Sequence, residues 1–189
     1  MCIRDRDAVL EFVDFWRESH GTSPKMLVFD SQFTVYKNLC RLNQDGIKFI
    51  TLRAKSEKMV REAMKRKSED WQEVVVEAGK RNSRKLRAYE ESIQVRDYKG
   101  EVRQIVILSA SLEPVFILTN DFKSSIVTIV RKYARRWLVE QKISEQVHFF
   151  HLNHLSSSIA VKVDFDLTLS LLAHNLYRRL AISIPKHEK

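Results

Sequence analysis

Residues 26–52, which read MLVFDSQFTVYKNLCRLNQDGIKFITL, decide the fold of this chain. The segment begins and ends with continuous apolar runs, Met26 to Phe29 and Ile47 to Leu52, which are typical of strands buried on both faces. The residues between them carry apolar side chains at helical spacing and end in Asp45-Gly46, a helix-stop signal. Strand, helix and strand joined by short links predict two parallel strands, so an α/β fold is expected.

Asp30 stands directly after the first predicted strand. Because ligands of open parallel sheets collect at the carboxyl ends of the strands, Asp30 is a candidate site residue. Asp is also common as a turn residue at such a position, and this alternative stays open.

The composition indicates a folded protein that binds a polyanion. The 189 residues suit one domain, or one domain carrying an insertion, and 44% of them are hydrophobic while 30% are charged. The net charge of +9 favours a nucleic-acid partner.

Two cysteines give neither a disulfide framework nor a zinc pattern, which fits a reducing compartment. No apolar run approaches the roughly 18 residues that a membrane-spanning helix needs.

The most basic part of the chain lies between Arg53 and Arg87, with twelve Lys or Arg against six Asp or Glu. Its first half is predicted to be helical and its second half irregular. Beyond it, residues 92–96 and 102–108 predict a hairpin, and residues 115–118 predict a further strand.

A long helix is predicted to begin at a cap formed by Asn120 or Asp121 and to end near Gln146. Glu140 continues the apolar face of this helix, where a carboxylate must be paired, protonated or bound to metal. A surface salt bridge is the alternative for Glu140. A last helix is predicted from Asp164 to Ile182, with a packing face of leucines, namely Leu167, Leu171, Leu172, Leu176 and Leu180.

The run Tyr133-x-x-Arg136-Trp137-x-x-Glu140 resembles the signature of the DDE transposases of bacterial insertion sequences, the group with a β insertion in an RNase H-like fold. Val28-Phe29-Asp30, the helix after it and the strand at Gly46 to Ile50 are similar to that family's second-aspartate segment. The resemblance runs from about Asp7 to Ala181.

The resemblance implies the roles of the site residues. Asp30 and Glu140 match the second and third catalytic acids, which hold Mg²⁺ or Mn²⁺ for two-metal cleavage of a phosphodiester. Tyr133 and Arg136 match residues that contact the DNA end near the reacting phosphate. The family's lysine falls on Val147, so that phosphate contact is either missing or supplied by Lys142 or His148. The remaining expected DNA contacts are basic side chains: Lys132, Arg135, Arg53 and Lys55.

The first catalytic acid and its strands have no counterpart here, so the expected fold is a truncated RNase H-like α/β domain with a β-rich insertion and C-terminal helices. Residues 1–6 resemble a translated sequencing adapter and are predicted to be non-native. The expected divisions are a first core part at 7–54, the basic and β-rich insertion at 55–120, the C-terminal core helices at 121–184 and a tail at 185–189. The chain alone is expected to be inactive.

The function expected from these residues is metal-dependent DNA cleavage and strand transfer by a fragment of an insertion-element transposase. Its expected partners are transposon ends and target DNA, on which it would act as a homodimer, with no membrane partner. The expected location is the bacterial cytoplasm, associated with the nucleoid. Two alternatives stay open, a noncatalytic basic DNA-binding module and another RNase H-like nuclease.

Overall fold

A computed structural model describes residues 7–78, 82–108, 113–136, 143–144, 147–148 and 159–184. The chain divides into two units, of which the first ends at Arg136 and the second begins at Trp137. The elements of the first unit are α1 (Ala8–His20), β1 (Met26–Val28), α2 (Tyr36–Gln44), β2 (Lys48–Leu52), α3 (Glu57–Lys65), β3 (Gln72–Ala78), β4 (Asn82–Ile93), β5 (Val102–Leu108), β6 (Pro114–Thr119) and α4 (Ile126–Ala134). Short 3₁₀ helices lie at Ser31–Phe33 and Ser68–Asp70. The second unit contains α5 (Ala160–Ser183).

The described strands form one mixed sheet in the order β1-β2-β6-β5-β4-β3. The predicted βαβ unit is confirmed, because β1 pairs with β2 in parallel with Met26 opposite Lys48. Gly46 makes the turn before β2 possible, since its φ of 70° is one that glycine adopts without cost. The other described pairings are antiparallel.

Helices cover both faces of the sheet. On one face, α1 and α2 pack around Phe49 and Leu118, and Ala63 of α3 packs against Phe116 further along. On the other face, α4 lays Ile129 and its neighbours against the isoleucines of the central strands. Most of the described buried core lies in these two apolar layers.

The second half of the basic stretch was predicted to be irregular, and this prediction is wrong. Residues 72–78 and 82–93 form β3 and β4, with Val74 opposite Leu86. Val74 is buried while Val75 is exposed, so β3 alternates as a strand with one covered face does. By register, this hairpin projects beyond the other strands, because Arg87 already pairs with Leu108, the last residue of β5.

The start of the long helix was also predicted wrongly. The described helix α4 begins after Ser125, whose side chain accepts a hydrogen bond from the Thr128 backbone N–H, whereas Asp121 belongs to the preceding loop. In the second unit, α5 begins four residues before the predicted Asp164, and the leucines of its expected packing face are largely exposed.

Candidate active site

Asp30 lies at the carboxyl end of β1, where the sequence predicted a site residue. It caps the 3₁₀ helix that follows, because its Oδ1 accepts a hydrogen bond from the Ser31 backbone N–H at 2.6 Å. The side chain is 39% exposed, so the carboxylate remains open to solvent and ligands. Its second oxygen, Oδ2, faces α4.

Arg136 follows the end of α4 and places its Nη1 3.4 Å from Oδ2 of Asp30. Its guanidinium carbon also lies 5.6 Å from the centre of the Tyr133 ring, close enough for a cation–π contact. The packing of α4 on the sheet thus brings the Tyr133–Arg136 pair to Asp30, although more than a hundred residues separate them in the sequence.

The backbone around Asp30 is tied to the neighbouring strand β2. The Phe29 backbone N–H donates to the Ile50 carbonyl at 3.1 Å. The Thr34 hydroxyl lies 2.8 Å from the Leu52 carbonyl oxygen and 2.5 Å from the hydroxyl of Thr51. Neither Thr34 nor Thr51 was predicted from the sequence. The signal that could have indicated Thr51 is a hydroxyl residue between the apolar residues of β2.

A second polar cluster fixes the opposite end of α4. Arg103 is buried and donates from Nη1 to the backbone carbonyls of Asp121 and Ser124, and it also pairs with Glu90. Burial alone would raise the pKa of Asp121, but hydrogen bonds from Ser124, Lys48 and the backbone N–H groups of Ser124 and Lys123 outweigh it and lower the pKa to about 2. This cluster was not predicted, since its members come together only through the sheet.

The predicted DNA-binding side chains fall in two groups. Lys132 and Arg135 lie on the last turn of α4 and just after it, and within the described residues they make no ion pair. Arg53 and Lys55 follow β2 and are both engaged, because Arg53 donates to Gln104 at 2.7 Å and Lys55 pairs with Glu113 at 2.6 Å. The Lys55 ammonium lowers the pKa of Glu113 through a hydrogen bond and its charge.

Glu140 and Lys142 lie outside the described residues. Their predicted roles therefore stay predictions. Within the part of the chain that the structure describes, no group of three His, Cys, Asp or Glu could hold a metal ion. Asp30 nevertheless fits one position of such a site, since it offers a partly exposed carboxylate, the ligand type that Mg²⁺ and Mn²⁺ favour.

None of the described helices combines the length and the apolar character that crossing a membrane would require.

The sequence matches the family described as "Transposase DDE domain" over residues 4–176. A search among curated proteins gave no match. The mixed sheet with helices on both faces is compatible with the RNase H-like domain of such transposases, as the resemblance implied. The family match covers the greater part of the chain and includes both Asp30 and the Tyr133–Arg136 pair. This chain therefore belongs to the transposase DDE domain family.

Proposed function

We propose that this chain supplies part of the catalytic domain of a transposase that cuts DNA at the ends of an insertion element and joins the strands to target DNA. The observation that carries the proposal is the pairing of Arg136 with Asp30 at 3.4 Å. An arginine suited to gripping a phosphate then lies beside a carboxylate suited to binding a cation, as cleavage of a phosphodiester requires.

Asp30 is proposed to hold Mg²⁺ or Mn²⁺ together with Glu140, the acid that the sequence resemblance assigns. A bound divalent cation supplies stabilisation of the negative charge that develops on the attacking and leaving oxygens. As the sequence resemblance implies, the chain alone is proposed to bind DNA without cutting it. The proposed acting species is a homodimer on DNA, in the bacterial cytoplasm at the nucleoid.

Arg136 is proposed to hold the phosphate next to the scissile bond, with Tyr133 orienting the guanidinium through the ring contact. Lys132 and Arg135 would bind neighbouring phosphates from the same end of α4. Arg53 follows the end of β2 adjacent to Asp30, so its charge also lies at the edge of the sheet where the DNA would pass.

Metal binding distinguishes the proposed enzyme from a noncatalytic DNA-binding module. Mn²⁺ binding to the chain, followed by electron paramagnetic resonance, should weaken at least fivefold in Asp30→Asn and in Glu140→Gln. Asp14→Asn is the matched control, because Asp14 is also an exposed acid beside an arginine, with Arg17 at 3.5 Å. Mn²⁺ binding that is equal in all four proteins would leave the noncatalytic module as the better explanation.

DNA binding tests the proposed contacts independently of metal. Replacing Lys132 and Arg135 together by glutamine should reduce the slope of log affinity against log salt by about two, roughly one for each lost phosphate contact. The control replaces Arg96 and Lys99, which lie in the turn between β4 and β5 at the opposite end of the sheet. An equal loss of slope in both double variants would refute a localised DNA surface on α4.

A further inference from the structure

Thr51 is a fully buried hydroxyl residue in a strand that is otherwise apolar from Phe49 to Leu52. A valine would fill nearly the same volume. A buried hydroxyl without a hydrogen bond costs about 1–3 kcal/mol, so the native residue is explained only by what its oxygen contacts.

The contacts of Thr51 lead to the Asp30 turn. Its Oγ1 lies 2.5 Å from Oγ1 of Thr34 and 3.3 Å from the backbone carbonyl oxygen of Asp30. Each hydroxyl has one hydrogen to donate. The short distances are satisfied together when Thr51 donates to Thr34 and Thr34 donates to the Leu52 carbonyl at 2.8 Å.

These bonds fix the turn at both of its ends. Before Asp30, the Phe29 backbone N–H is bonded to β2, and after it Thr34 is bonded to Leu52 of the same strand. Within the turn, Oδ1 of Asp30 is occupied by the Ser31 N–H, which leaves Oδ2 directed toward Arg136. The direction of the carboxylate therefore depends on the backbone that Thr34 and Thr51 hold.

We infer that Thr51 and Thr34 are positioning residues that keep the Asp30 carboxylate turned toward its ligand. The inference rests on the proposed function, because it assigns these residues to the cation site at Asp30. Neither hydroxyl is proposed to touch the cation. Both act through the Asp30 backbone.

The test is an Mn²⁺ titration of the isotopically labelled chain, followed by paramagnetic broadening of the Ser31 amide signal in ¹H–¹⁵N spectra. Thr51→Val should weaken the apparent affinity at least fivefold, and Thr51→Ser, which keeps the hydroxyl, should stay within twofold of wild type. Thr34→Val should behave like Thr51→Val. Because Thr34 is only partly buried, this variant also serves if Thr51→Val fails to fold.

A buried control excludes a general effect of lost stability. Ile129→Val removes one methylene on the other face of the sheet and should cost about 0.5–1.5 kcal/mol while leaving Mn²⁺ broadening unchanged. If the folded valine variants bind Mn²⁺ as wild type does while Asp30→Asn loses binding, the positioning role is overturned and the cation site stands. If Asp30→Asn itself leaves the broadening unchanged, the proposed cation site fails, and the positioning role fails with it.

Discussion

Replacing Arg136 with glutamine should make the chain bind Mn²⁺ more tightly and DNA more weakly. In the structure, the guanidinium occupies the side of Asp30 that a cation would use, with Nη1 3.4 Å from Oδ2. A metal ion must therefore displace Arg136 or share the carboxylate with it. Removing the arginine removes both the competing ion pair and a positive charge that repels the cation.

The size of the effect follows from the distance and the exposure. At 3.4 Å, Coulomb's law gives about 1 kcal/mol in the dielectric of water and about 5 kcal/mol at an effective dielectric of 20. Asp30 is 39% exposed, and holding a long side chain in place costs entropy, so the lower figure is the better guide. About 1 kcal/mol corresponds to a roughly fivefold gain in Mn²⁺ affinity.

The assay compares Mn²⁺ titrations of wild type and Arg136→Gln by electron paramagnetic resonance at low ionic strength. Arg41→Gln on α2 removes the same charge from an exposed position and should shift the affinity by less than twofold. DNA affinity is measured on the same proteins. By linkage, a DNA end that draws Arg136 to its phosphate should raise the Mn²⁺ affinity of the wild type by a similar factor.

One outcome would refute this reasoning. If Arg136→Gln binds Mn²⁺ no more tightly than wild type while Asp30→Asn loses binding, then Arg136 does not compete for Asp30. The ion pair would then be incidental to the site.

Two further predictions concern the cluster at the start of α4. The pKa of Asp121 is lowered to about 2 from its usual 3.8, so its ionised form stabilises the fold above about pH 4, and this contribution disappears as the pH falls toward 2. Asp121→Asn should lower the free energy of unfolding, measured in urea at pH 7, by about 2 kcal/mol. The difference from wild type should shrink between pH 4 and 2, and a difference that does not vary with pH would contradict this prediction. Arg103→Met should lower the free energy of unfolding by about 2–4 kcal/mol, because the carbonyls of Asp121 and Ser124 lose their buried donor. The exposed Arg96→Met should change it by less than about 0.5 kcal/mol, and equal effects of the two substitutions would contradict the role assigned to Arg103.

The parallel pair β1–β2 could be predicted because its signals are local. Each strand is a continuous apolar run, and Gly46 marks the turn between helix and strand. The strands β3 and β4 escaped prediction because they carry several charged residues and lie within the most basic part of the chain. The fold uses those charges on the exposed side, where Lys85 pairs across the strands with Glu73 at 3.0 Å.

The site could be predicted only in part, for a related reason. Asp30 was found from its place after a strand, and Arg136 from its resemblance to a family signature. Their contact depends on where α4 lands on the sheet, which no spacing in the sequence expresses. The helix start was predicted wrongly because Asp121, a residue type favoured as a cap, instead pairs with Lys48 and accepts a hydrogen bond from the Ser124 hydroxyl.

The position of Arg136 is therefore a property of the whole sheet. One end of α4 is fixed by the buried Arg103 cluster, and its middle is fixed by Ile129 and Val130 packed on the central strands. Because α4 is fixed at those points, the position of its last turn is fixed as well, and Arg136 just after it lies beside Asp30. Since the turn that carries Asp30 is fastened separately to β2, the two halves of the ion pair are set by different strands of one sheet. Changes that loosen either attachment should act on the site without touching it, because both attachments determine the same 3.4 Å separation.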